Sequence, residues 1–232
     1  AIKEYLEVLA RYPEVKESID AIEGLVSAYL GLIVRKKGTP EQLEVWRMDA
    51  DAVEGYLAER FAGAKNRAIM TAAGDATIRL AAKEQQYKNP ARADRLYTEF
   101  FLNYRAHTTA ATLAAAKAME LQKAERYADA RKYWGIIAAH YTNTTFYAAS
   151  LAQLSYCAGK LGEREDEIKY ITAYLPVETV KIRRLQAQMQ LAQMYQADGL
   201  AQLASAETNS TPEAVAAAEN AGTAQIIRAI KN

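Results

Sequence analysis

The chain has 232 residues, half of them hydrophobic and a quarter charged, a composition that excludes a disordered chain and suits one large or two small folded domains. Its 29 basic and 28 acidic residues give a formal net charge of +1 with no long basic run, so a phosphate-neutralising surface is not indicated and no nucleic-acid partner is expected. The single cysteine, Cys157, rules out an intrachain disulfide, and no apolar run approaches the ~18 residues of a membrane span.

Glycine (11) and proline (5) are scarce and alanine-rich runs such as "TTAATLAAAKAM" recur. Alanine loses no side-chain entropy on entering a helix, and the alternating β-branched runs of strands are missing. The fold class expected is all-α.

In chain order, "AIKEYLEVLARYPE" puts Ala1, Tyr5, Val8 and Leu9 on one helical face, and Tyr12-Pro13 ends that helix. Ile22, Leu25, Val26 and Tyr29 keep helical spacing through a second. The stretch "RKKGTPEQLEVWRMDADAVEGYLAERFAGAKN" then predicts a turn at Lys37-Gly38-Thr39-Pro40 followed by an unusually long helix. From Gly74 onward the chain repeats itself, with windows starting at Gly74, Ala111, Ala148 and Leu185, 37 residues apart (111 − 74, 148 − 111, 185 − 148). Eighth in each stands a small residue: Ala81, Ala118, Ser155, Ala192. Twentieth stand Ala93, Ala130, Glu167 and Ala204. Bulky residues fill the twenty-fourth place (Tyr97, Trp134, Ile171) and the twenty-seventh (Phe100, Ile137, Tyr174). Small residues at fixed places let paired helices approach, and bulky ones fill the gap to the next pair. At the end, "SAETNSTPEAVAAAENAGTAQIIRAIKN" offers Thr211 as N-cap and Pro212 at the first helical position. Two short helices, split near Ala221-Gly222, are expected there as a cap or tail.

This pattern resembles the tetratricopeptide repeat, a helix–turn–helix unit of ~34 residues; the three extra residues per unit fall in the turns. "YADARKYWGIIAAHY" and "ASLAQLSYCAGKLGEREDEIKYITAYLP" carry the resemblance best, and it covers roughly residues 74–207. Lys117 and Thr208 depart from the family pattern, so the last unit is expected to be shortened. The resemblance implies a right-handed α-solenoid of helix–turn–helix repeats. Residues 1–13 then read as the second helix of a repeat whose first helix is missing, which makes the chain a fragment of a longer array. Residues 14–73 form a degenerate repeat starting near Ile19, 18 residues longer than the others (74 − 19 against 37) and carrying its excess around 34–65. Four repeats occupy 74–207, and 208–232 are capping helices or a tail.

Reaction chemistry is hard to find along the chain. His107 and His140 lack acidic or cysteine partners at ligand spacing, so no metal site is expected. Cys157, in "LSYCAGKL", has nothing beside it to lower its pKa and reads as a buried, inert thiol. Glu163, Asp166 and Glu167 sit at a helix start, where the helix dipole alone explains them. "RKYW" and "LNYR" mix basic and aromatic residues, yet Trp134 and Tyr104 fall at packing positions. An enzyme is not expected, nor a cofactor.

The resemblance implies a different kind of site: a concave groove lined by places 2, 5, 9, 12 and 13 of the first helices. Those places give Asp75, Ile78, Gln85 and Gln86, then Met119, Gln122 and Lys123. Tyr156 and Lys160 follow, and then Gln186, Met189, Gln193 and Gln196. Such amides, methionines and a tyrosine suit a peptide or protein segment. The charged clamp of chaperone-tail binders is absent, since its two places hold Ile78, Ala115, Ala152 and Met189, and Ala82, Met119, Tyr156 and Gln193.

The function expected is a non-enzymatic protein-interaction scaffold. Linker style ("ARYPE", "HYTNTTFYAAS") resembles envelope tetratricopeptide proteins of the outer-membrane-assembly and division-associated kind, which implies the bacterial periplasm or envelope. The alternative is a regulatory or positioning module of a larger enzyme. An open N-terminal edge would also let the chain pair with a second copy.

Overall fold

The computed structural model describes residues 1–208 together with Asn220 and Ala224, with side chains described through Ala201 along the last helix. The expected cap beyond Thr208, and the side chain of Ala204, lie outside the described residues. Among the described residues every regular element is an α-helix and none is a strand: α1 (Ile2–Arg11), α2 (Lys16–Val34), α3 (Pro40–Phe61), α4 (Arg67–Gln86), α5 (Pro90–Asn103), α6 (Ala110–Lys123), α7 (Tyr127–His140), α8 (Phe146–Lys160), α9 (Arg164–Tyr174) and α10 (Lys181–Thr208). None of them is long and apolar enough to cross a membrane.

Three helices start 37 residues apart, at Pro90, Tyr127 and Arg164 (127 − 90, 164 − 127). The turn before each is built the same way. Lys88, Glu125 and Gly162 take the left-handed conformation, with φ of 61°, 58° and 74°. The next N–H then bonds five residues back: Asn89 to Glu84 O, Arg126 to Leu121 O and Glu163 to Ala158 O, each 2.9 Å. This Schellman closure satisfies carbonyls that a helix end otherwise leaves open and reverses the chain within three residues. Lys36 ends α2 in the same way, its neighbour Lys37 donating to Leu32 O at 3.2 Å.

The chain folds as two compact units, Ala1–Ala110 and Ala111–Asn232. In the first, α2 packs against α1, α3 and α4, and α4 also against α3 and α5. Its core is drawn from Ile19, Ile22, Leu25, Leu57, Phe61, Leu80 and Phe100, all at most 2 % exposed. Burial of each such side chain is worth ~1.5–3 kcal/mol. Thr39 and Gln42 cap α3 reciprocally, each side chain accepting from the other's backbone N–H at 3.3 Å, and Pro40 sets its first turn. α4 begins seven residues ahead of the expected window start at Gly74 (74 − 67), because Asn66 Oδ1 accepts from the Ala68 N–H at 2.9 Å and caps it there.

In the second unit α8 packs against α7 and α9, and α10 packs on α9. Leu151, Ile171, Tyr174, Ala187, Leu191 and Met194 form its core cluster. The 37-residue period makes Gly199 the counterpart of Gly162 (199 − 162), yet α10 runs unbroken through it. A lone glycine costs a helix only ~1 kcal/mol relative to alanine, and the helix-favouring "LAQLASAE" follows it.

Candidate functional site

The second unit carries a cleft that gathers three of the residues expected at the groove. One wall is α8, whose buried face holds Leu151, Leu154, Cys157 and Ala158. Its outward positions, Tyr156 and Lys160, lie one turn apart. The Lys160 ammonium sits 5.5 Å from the centre of the Tyr156 ring, a cation–π distance, and the Tyr127 ring meets Tyr156 edge-on at 6.0 Å. The opposite wall is α10, where Arg183, Gln186 and Gln190 fall at helical spacing with Ala187 between them. Glu167, Ile171 and Tyr174 of α9 complete a cleft of about 490 Å³.

Glu167 is held rather than free. Arg164 Nη1 lies 3.4 Å from its Oε2, Gln190 Nε2 donates to its Oε1 at 3.4 Å, and its backbone carbonyl accepts from Ser155 Oγ at 2.9 Å. Gly159 makes the space: a Cβ there would stand 2.9 Å from Glu167 Oε1. Beyond Tyr174, the Glu178 carboxylate accepts hydrogen bonds from the Tyr174 hydroxyl and, at 2.7 Å, from the Val180 N–H. The Tyr174 hydrogen bond holds the Glu178 carboxyl below its ordinary value, while burial and that same carboxylate push the Tyr174 phenol up to about 12.

Of the expected groove residues, Tyr156, Lys160 and Gln186 line this cleft. Met189, 62 % exposed, stands next to it in sequence on α10; Gln193 and Gln196 are exposed further along that helix. Met119 and Lys123 are exposed on α6. Gln122 is engaged inside the unit, where its Oε1 accepts from Trp134 Nε1 at 3.0 Å and its Nε2 donates to Gln153 Oε1 at 2.8 Å. That amide bridges α6, α7 and α8. In the first unit Gln85 and Gln86 are exposed, Ile78 is half-buried, and Asp75 Oδ1 lies 3.2 Å from Nε2 of the buried His107. Asp75 also lines a shallow charged depression with Lys16, Asp20, Arg67 and Arg79.

Arg183, Gln190 and Glu167 were not among the expected residues. Arg183 precedes the repeat window that begins at Leu185, and the other two fall outside the places given to the groove. The one signal for Arg183 was the run Lys181-Ile182-Arg183-Arg184, three cations at a helix start.

Among the described residues no three histidines, cysteines or acids group as metal ligands. His140 is exposed at the end of α7. Cys157 is fully buried, burial pushes its thiol up, and Gln122 Nε2 lies 3.4 Å from its sulfur. A cluster of buried charge belongs to the first unit. There Arg92 reaches Glu54 at 2.8 Å, Asp51 at 2.9 Å and Glu84 at 3.2 Å, and Arg95 also reaches Glu54, at 2.9 Å. Burial pushes both the Glu54 and Glu84 carboxyls up, against the pull of the arginines. The cluster ties α3, α4 and α5 together.

Comparison of the chain with models of known protein families, with curated proteins and with solved structures finds no match.

Proposed function

We propose that the chain is a non-enzymatic scaffold that binds a peptide or protein segment in the α8–α10 cleft. The observation that carries this reading is the convergence of Tyr156, Lys160, Gln186 and Gln190 on one open cleft. An exposed aromatic ring and paired amides suit the adaptable contacts of a peptide site. The finer architecture we propose is a tetratricopeptide-like right-handed α-solenoid. The thrice-repeated Schellman turn at a 37-residue interval supports it, since identical turns at a fixed period are what stacked hairpins require. A bacterial envelope setting is the location we propose, on the likeness of the "ARYPE" and "HYTNTTFYAAS" linkers alone.

Selection of random peptides displayed on phage against the intact chain tests the reading. Enriched sequences should bind in solution, and Tyr156→Ala should weaken them at least about tenfold, as truncation of a central aromatic contact does. If nothing enriches, or if enriched peptides bind Tyr156→Ala as well as the parent, the cleft is not the site.

A further inference from the structure

The charge around the cleft is lopsided. Lys160 contacts the Tyr156 ring, and no carboxylate among the described residues pairs with it. Across the cleft, Arg183 is 66 % exposed, and its nearest acid, Glu178, stands 4.0 Å away with its oxygens already taken by Tyr174 and Val180. Lys181 and Arg184, beside it in sequence but outside the cleft lining, are exposed and form no ion pair among the described residues. The one acid lining the cleft, Glu167, is committed to Arg164 and Gln190.

Lys181, Arg183 and Arg184 also stand where a helix least favours cations, whereas Lys160 ends α8, where one is favoured. The first turn of α10 contains no acid, so three positive side chains add to the positive end of the helix dipole. Two helices of the same unit carry acids in the first turn, Asp129 in α7 and Glu165, Asp166 and Glu167 in α9, while α6 and α8 carry none. Outside the cleft lining, Ile182, Leu185 and Met189 of α10 are also exposed, by 62 %, 45 % and 62 %. Exposed cations on both walls of a cleft whose lining includes Tyr156, Ile171 and Ala187 are complementary to a segment that alternates apolar side chains with carboxylates.

We infer that the occupant of the cleft is an acidic, amphipathic segment of a partner protein. Its carboxylates meet Lys160 and Arg183 on the two walls, and its apolar side chains rest on Tyr156, Ile171 and Ala187 of the cleft lining. The inference rests on the peptide-binding reading of the same cleft and adds the chemistry of the partner.

Three labelled 15-residue peptides of equal apolar content test it, carrying glutamate, glutamine or lysine at the alternate positions. Each is titrated against the whole chain by fluorescence polarisation. The glutamate peptide should bind, the glutamine peptide about tenfold more weakly, and the lysine peptide not at all. The Lys160→Glu/Arg183→Glu variant should lose the preference for glutamate while melting like the parent, since both side chains are exposed. Lys132→Glu/Lys169→Glu, the same charge change elsewhere on the unit, should leave binding unchanged. Equal binding of the glutamate and glutamine peptides overturns the acidic partner but leaves a peptide cleft standing. Failure of all three peptides removes the cleft reading as well. Equal loss in the control variant, or tighter binding of phosphatidylglycerol vesicles or of a single-stranded oligothymidine, would also overturn the inference.

Discussion

Gly74 and Gly55 both sit inside helices of the first unit, yet their replacement by alanine should move stability in opposite directions. A Cβ on Gly74 would stand 2.8 Å from His107 Cδ2 and 3.2 Å from Phe100 Cε2, both on buried rings. Overpacking of that kind costs ~1–3 kcal/mol, which outweighs the gain in helix propensity. Gly55 has nothing within 4 Å of its would-be Cβ, so Gly55→Ala should stabilise by ~0.5–1 kcal/mol. Urea unfolding of the two variants reads both signs. In the second unit, Glu178 sets a pH dependence. Its carboxyl is depressed in the folded state, so its contribution is present above the ordinary value of 4.5 and is lost as pH falls through the folded value. The difference in stability between the parent and Glu178→Gln should therefore shrink below pH 4.5. For Tyr174, raised to about 12, the contribution is full below its ordinary value of 10 and disappears as pH climbs through about 12. Melting across the acid range from neutral pH downward checks the Glu178 side; an unchanged difference would contradict it.

At the scale of elements, the repeated turn makes a quantitative prediction. Lys88 and Glu125 occupy a left-handed conformation that favours glycine, so Lys88→Gly and Glu125→Gly should each stabilise by ~0.5–1 kcal/mol, and Gly162→Ala should cost about as much. Urea unfolding of the three variants checks the signs. The ion cluster makes another prediction. Removal of the guanidinium in Arg92→Ala leaves Glu54 and Glu84 buried without their shared partner, at a cost of ~3–5 kcal/mol near neutral pH. Burial already raises both carboxyls, so the variant's deficit should lessen as pH falls toward 4.5 and these acids take up protons. Much of the helical framework was legible in the sequence because packing repeats with the chain. Ala81, Ala118 and Ser155 at the eighth place, and Tyr97, Trp134 and Ile171 at the twenty-fourth, are all buried. The cluster was not legible, since Asp51 and Glu54 lie in the long helix that has no counterpart in the period. Nor was the unbroken α10, where a glycine marking a turn in one repeat is carried within a helix in the next.

At the scale of the whole molecule, sequence register nominated surface positions but not their neighbours. Tyr156, Lys160 and Gln186 were legible as outward places on first helices, and the structure brings them to one cleft. Gln122 occupied an equivalent place, yet the Trp134 indole N–H draws its amide into the packing, a pairing between helices that no single-helix register contains. Arg183 and Gln190 are not legible in the repeat register because the cleft follows the facing of α8 and α10 across α9, which depends on where α10 begins. Hydrogen–deuterium exchange of the intact chain, with and without a bound glutamate-rich peptide, tests the central claim most directly. Protection should concentrate in residues 152–160 and 183–190. Protection elsewhere with these two stretches unchanged would contradict the account.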